Sequence, residues 1–395
     1  MKRKLTAIFS STLFLLLVSA SLAMALTPKE ELGKLLYFDK HLSIKKNQAC
    51  ASCHHPRAGW SDPLNAAAPD MFPVSLGSVR TLNGCRNAPP SGYAAFNPVF
   101  SYDEASGLYS GGQFWDGRAD TLKDQAMGPF MNPVEMGMPS KAAVIQAIAE
   151  PKNRKASIYC KLFMQVYGID LKSINYNDPD EIDMVYEMVA DAIGIFEKTE
   201  RLTSFTSKYD SYLAGNAQLT AQELNGLALF EGKAGCNLCH PSAATANLDG
   251  TIVPPLFTDF TYDNLGVPTN DNRLLVDCGI DNGLGGRLVT GVDPNADLQV
   301  GKFKVSSLRN IELTAPYTHN GFFATLEEIV RFYNTRDVAN WPLPEVSDNL
   351  NITELGNLGL TADEEADLVA FLLTLTDGFC KNMPDNFVLP EMTVW

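Results

Sequence analysis

Histidine is scarce in this sequence, with five among 395 residues. Chemistry that gathers several imidazoles around one metal therefore has few ways to be built. Positive charge is also in deficit: Lys plus Arg number 31 against 46 for Asp plus Glu, a formal charge of −15. That balance argues against nucleic acid or an anionic membrane as partner and suits a basic one. Long period-two alternation is missing, which argues against an extended β fold. Beyond the N-terminus no apolar run is long enough to span a bilayer. What remains is globular in composition, 45% hydrophobic and 19% charged, and long enough for two cores.

The N-terminus reads as an export signal. Lys2, Arg3 and Lys4 precede an apolar stretch from Leu13 to Val18, and Ala23-Met24-Ala25 places small residues where a signal peptidase reads them. Cleavage after Ala25 would release a mature protein with no membrane span into the periplasm, with the cell surface or exterior as alternatives. The residue immediately after the cut is Leu26 and not cysteine, so lipidation is not indicated.

The rest reads as all-α, with helices joined by long loops. Thr27-Pro28-Lys29-Glu30 is a capping box with proline at the first helical position. Thr220 with Glu223, Thr325 with Glu328 and Thr361 with Glu364 are further boxes. Apolar residues recur at three and four between Glu181 and Glu200. Loops rich in Gly, Pro and Asn fill 56–113 and 241–310, and loops that long need something large to wrap around.

Cys50-Ala51-Ser52-Cys53-His54 and Cys236-Asn237-Leu238-Cys239-His240 supply that something. Two thiols three positions apart can each bond one vinyl-derived carbon of a porphyrin, and the adjacent histidine reaches its iron. A redox dithiol has no need of the histidines. A zinc site needs four ligands together, whereas these motifs stand in opposite halves. The reading is two covalently bound c-type haems, with Cys50, Cys53 and His54 holding one and Cys236, Cys239 and His240 the other. The expected organisation is a signal peptide over 1–25 and two cytochrome c-like haem domains, 26–210 and 211–395. The remaining histidines, His41, His55 and His319, leave the first iron no obvious second histidine. Cys85, Cys160, Cys278 and Cys380 could form two disulfides in an oxidising compartment, with three possible pairings.

The sequence resembles the bacterial di-haem cytochrome c peroxidases and the MauG proteins, one superfamily. The most specific stretch is Phe114-Trp115-Asp116-Gly117-Arg118-Ala119-Asp120, continuing through Gln125, Gly128-Pro129, Asn132-Pro133 and Glu135-Met136-Gly137. A second runs from Leu308-Arg309-Asn310 through Tyr317-Thr318-His319-Asn320-Gly321 to Glu328, and Tyr262-Asp263-Asn264-Leu265-Gly266 is also familiar. The resemblance implies that His54 serves a catalytic haem faced by Gln125, Pro129 and Glu135. It implies that Trp115 stands between the haems and that His240 serves an electron-transfer haem. It also implies a calcium ion held by the Asn87 side chain and the carbonyls of Thr314 and Pro316, with His319 in a structural role.

Two positions divide the superfamily. Ordinary peroxidases carry a histidine shortly before the asparagine of Arg86-Asn87-Ala88-Pro89; here Gly77 to Cys85 has none. They carry a methionine ligand fourteen positions after the histidine matching His319; here that position is Tyr333. MauG proteins resemble this chain at both points, which makes Tyr333 the expected second ligand of the His240 iron. Should the register differ, Met127, Met131, Met136 and Met138 are loop candidates. The implied activity is reduction of hydrogen peroxide with electrons from a small cytochrome c or copper protein. The alternatives are MauG-like oxidation of residues on a partner protein and a non-enzymatic di-haem electron carrier. A homodimer is compatible with this reading.

Overall fold

The computed structural model of the chain describes residues 25–246, 252–288 and 292–380, so the expected export signal lies outside it except for Ala25. Helices α1 (Pro28–Tyr37), α2 (Cys50–Cys53), α3 (Pro63–Ala67), α4 (Leu122–Met127), α5 (Lys141–Ala149), α6 (Ala156–Tyr167) and α7 (Pro179–Glu197) precede α8 (Lys208–Leu213). Then come α9 (Ala221–Glu231), α10 (Gly283–Arg287), α11 (Leu326–Thr335) and α12 (Ala362–Leu373). Local chemistry sets many of the starts. All four capping boxes read from the sequence form, at α1, α9, α11 and α12, and each joins a threonine oxygen to the backbone of a glutamate three residues on. Thr121–Asp124 and Ser207–Asp210 cap α4 and α8 with aspartate in place of glutamate.

The described chain is largely but not purely helical. Three antiparallel ribbons of two strands each lie in the long loops: β1 (Ser101–Asp103) with β2 (Leu108–Ser110), β3 (Thr245–Ala246) with β4 (Ile252–Val253), and β5 (Tyr262–Asp263) with β6 (Phe303–Lys304). They are too short to show as alternation in sequence, which is why the expectation was all-α.

Two large apolar cores form, with a small third cluster of Tyr109, Tyr262 and Leu284. One gathers buried residues from Leu32 to Leu202 around α7. The other gathers residues from Tyr209 to Leu375 around α9, α11 and α12. The two are built alike. α1 crosses α7 at Gly33, where a Cβ would lie 1.9 Å from the Ala192 carbonyl oxygen and 2.8 Å from Phe196 Cβ. α9 crosses α12 at Gly226, where a Cβ would lie 1.9 Å from the Asp367 carbonyl oxygen and 2.8 Å from Phe371 Cβ. Each crossing needs a glycine because two backbones meet. Each is followed along the chain by one of the Cys-x-x-Cys-His motifs. The duplicated plan is therefore a matter of residue-level equivalence: Gly33 with Gly226, Phe196 with Phe371.

Loops tie the halves together. Ser110 bridges to Thr261, the Tyr262 hydroxyl donates to the Gly111 carbonyl at 2.6 Å, and the Lys304 amide donates to the Trp115 carbonyl at 2.8 Å. Arg86 binds both Asp116 and Asp281. Cys85 and Cys278 form a disulfide across the same seam. Of the four cysteines outside the haem motifs, whose pairing the sequence left open, Cys160 and Cys380 are free.

Candidate haem sites

Each Cys-x-x-Cys-His motif sits in one tight turn. α2 carries Cys50 and Cys53, and a 3₁₀ turn over Cys236–Leu238 opens the second motif. Burial pushes the thiols of Cys53, Cys236 and Cys239 up to about 12, and that of Cys50 higher still. A redox dithiol needs the opposite shift, so these cysteines are unsuited to thiolate chemistry. Among the described residues the single metal-capable cluster is Cys239 with Asp263 and Glu354, too few ligands for structural zinc.

In both motif histidines one ring nitrogen is fixed by the backbone. His54 Nδ1 lies 3.3 Å from the Trp60 carbonyl oxygen and His240 Nδ1 lies 2.7 Å from that of Phe257. A carbonyl can only accept, so each Nδ1 carries the proton and each Nε2 keeps its lone pair. Burial also lowers the pKa of both rings, which keeps them neutral.

His240 opens onto an apolar cavity of about 230 Å³ whose wall includes Cys236, Cys239, Phe230, Leu372 and Tyr333. Tyr333, half-buried on α11, turns to this cavity, and burial pushes its hydroxyl pKa far up. That cost falls on the phenolate, which a cation opposite it would relieve. Trp115 borders the same cavity and donates its indole N–H to the Asn87 carbonyl at 2.8 Å. Lys304 borders it too. Burial lowers its ammonium pKa to about 7 against the pull of Asp116. His319 is stacked on Phe303 with centroids 3.7 Å apart and bonded to Glu345 at 2.9 Å. A ring held on both sides cannot swing to an iron.

Glu135 lies over the first motif. It follows the turn after α4, where its amide donates to the Asn132 carbonyl at 3.0 Å, and its charge is felt at both Cys50 and Cys53. Burial raises its pKa, with Arg118 as the chief opposing influence. Gln125 is on α4, half-buried, and Pro129 follows that helix. Two atoms around the first motif are left without partners: Gln48 Oε1, whose amide nitrogen meets Cys53 Sγ at 3.4 Å, and Glu197 Oε2. Orphaned polar atoms beside two half-buried cysteines and an oriented imidazole fit a haem there.

His41 and His55 are placed away from iron chemistry. His41 pairs with Glu150 and Lys46, and His55 Nδ1 accepts the Arg57 amide. Asn87, Thr314 and Pro316 share the cavity wall, and Asn87 Nδ2 donates to the Pro73 carbonyl at 3.0 Å. Sequence reasoning missed Lys304 and Glu197. A lone charged residue in a loop or at a helix end reads as surface unless its tertiary neighbours are known.

Two oriented histidines on two helical cores, each with its cysteine pair, define a di-haem c-type protein. Residues 27–218 match the family described as di-haem cytochrome c peroxidase. The chain is 38% identical to the methylamine utilization protein MauG of Paracoccus denitrificans, over 88% of each chain. It is 33% identical to cytochrome c551 peroxidase of Nitrosomonas europaea, over 93% of this chain and 85% of that one. The crystal structure of the diheme peroxidase BthA from Burkholderia thailandensis superposes with a TM-score of 0.76 at 31% identity, covering 90% of this chain and 87% of that one. The chain belongs to the di-haem cytochrome c peroxidase and MauG family, and is an oxidoreductase with two haem cofactors.

Proposed function

We propose that the protein is a periplasmic di-haem peroxidase of the MauG-like branch. In it residues 26–210 hold the catalytic haem and residues 211–395 the electron-sharing one. The observation that carries this reading is Tyr333 in the wall of the cavity that His240 opens onto. A haem iron held by His54 would supply the redox change by which hydrogen peroxide, with two electrons and two protons, becomes two molecules of water. The rest is done by side chains. Glu135 takes the proton that peroxide loses on binding and returns it to the departing oxygen. A buried carboxyl with a raised pKa is suited to both transfers. Gln125 orients the peroxide or a water by hydrogen bonding, and Pro129 packs the same face. Trp115 shortens the electron path between the halves.

An anionic Tyr333 oxygen at the second iron would favour its oxidised form and lower its potential. Asn87, Thr314 and Pro316 offer oxygens to a calcium ion, an acceptable hard-cation set. The electron donor is a small cytochrome c or copper protein with a basic face, complementary to the net charge of −15. A second reading, oxidation of a residue on a partner protein, is favoured by the 38% identity to MauG.

Tyr333→Phe tests the reading. The variant is expected to keep both haems attached, to change the low-spin electron paramagnetic resonance signal, and to raise the potential of the second haem. An unchanged low-spin signal would remove Tyr333 from the iron and with it the MauG-like assignment.

A further inference from the structure

The duplicated scaffold carries one conspicuous asymmetry. Phe196 on α7 and Phe371 on α12 occupy the same place against Gly33 and Gly226. The next residue on α12 is Leu372, which lines the cavity beside His240. The next residue on α7 is Glu197. Four residues after the crossing glycines, α9 offers Phe230 to its cavity and α1 offers Tyr37. The second half thus presents Phe and Leu where the first presents Tyr and Glu.

Glu197 is 4% exposed and its Oε2 has no hydrogen-bond partner. Its charge is felt at Cys50 and at Tyr37. The Tyr37 hydroxyl reaches the His54 carbonyl at 3.0 Å and the Ser91 hydroxyl at 2.8 Å. Among the described residues no cation pairs with the carboxyl. Charged groups where α7 meets α1, α4 and α5 are paired on its outer turns: Lys29 with Asp191, Lys123 with Glu187, and Lys141 with Asp183. Tyr167 of α6 donates to Asp191, and the chain neighbours Lys198, Glu200 and Arg201 are exposed. An unpaired buried carboxyl is strongly disfavoured as an anion, so something must offset its charge or it stays protonated.

We infer that Glu197 is the redox-linked proton site of the first haem. It takes one proton from solvent when the iron there accepts an electron from the donor, and returns the proton to solvent when that electron leaves. The electrons balance because the donor is oxidised by one unit as the iron is reduced by one. The electrostatic reason is direct: a ferric haem carries one more positive charge than a ferrous haem, and that charge stabilises the carboxylate. Burial alone sets the acid near pH 8. The ferric charge moves it lower, so the two states differ in protonation over a window ending near pH 8. Below that window the acid is protonated in both states, above it ionised in both, and the potential is flat. Within it the potential falls as pH rises. The inference rests on the first motif holding a haem, but not on the roles of Glu135 or Tyr333.

The test is a redox titration of the holoprotein across pH, without peroxide, following each haem separately. The wild type should show a first-haem slope approaching one proton per electron within the window. Glu197→Gln, which keeps the shape, and Glu197→Leu, which copies the second half, should flatten it and leave the second haem's profile unchanged. An undiminished slope in either variant overturns the inference. Should neither variant load haem, the reduced-minus-oxidised infrared difference spectrum of the wild type decides. A carboxylic acid carbonyl band appearing on reduction supports the assignment, and its absence overturns it. Because no peroxide is used, failure here is distinct from failure of the peroxidase reading, which would show as unaltered turnover in a Glu135 variant.

Discussion

Replacing Glu135 with glutamine is expected to slow peroxide consumption by about 10²–10⁴-fold, the usual contribution of a positioned acid–base group. The amide keeps the volume and can still donate a hydrogen bond, but it cannot take a proton at neutral pH. Both haems should stay attached, since neither Cys50, Cys53 nor His54 depends on Glu135 for its position. The pH profile carries the sign. Burial holds the Glu135 pKa above the ordinary carboxylate value, and Arg118 opposes that rise. The base form is therefore gained as pH rises through the raised pKa, and the acid limb of the peroxide reaction should lie above the range of a free glutamate. In Glu135→Gln that limb should vanish. Stopped-flow spectra of the oxidised protein mixed with peroxide report both quantities. A rate within a few-fold of wild type would take Glu135 out of the chemistry.

Arg309→Met is expected to destabilise the protein by about 3–5 kcal/mol, the cost of breaking a buried ion pair from one side. The Arg309 side chain is fully buried, and its two terminal nitrogens meet Asp210 at 2.6 and 2.9 Å. Its Nε donates to the Pro255 carbonyl at 2.7 Å, and its charge lies over Tyr93, Phe205 and Phe257. Tyr93 belongs to the first half of the chain and Phe257 to the second, so one cation fastens both. Methionine fills the space but leaves Asp210 without its counter-charge. Adding Asp210→Asn should recover part of the loss. Urea unfolding of the holoprotein measures it, and a loss below about 1 kcal/mol, the size of an exposed pair, would contradict this account.

Short-range features were the legible ones. A capping box lies within four residues and needs only hydrogen bonds along the chain, so Thr27, Thr220, Thr325 and Thr361 announced their helices. The haem motifs are likewise contained in five residues each. α7 ends at Glu197 rather than Glu200 because no apolar residue follows Phe196 at helical spacing before Leu202. Features made by chain crossing were not legible. Nothing near Gly33 or Gly226 indicates that another backbone will pass within contact. Cys85 and Cys278 are separated by 193 positions, and their pairing depends on how the seam closes. Glu197 has the sequence context of a helix-end surface residue. Its burial and its equivalence to Leu372 across the duplication emerge only from the packing of α7.

The proposed branch assignment requires unequal irons: one open toward Glu135, one closed by Tyr333. Low-temperature electron paramagnetic resonance of the fully oxidised protein, before and after hydrogen peroxide, tests that most directly. One high-spin and one low-spin ferric signal, both lost on adding peroxide without prior reduction, is the result this account predicts. Two low-spin signals that persist in peroxide would contradict it and describe an electron carrier instead.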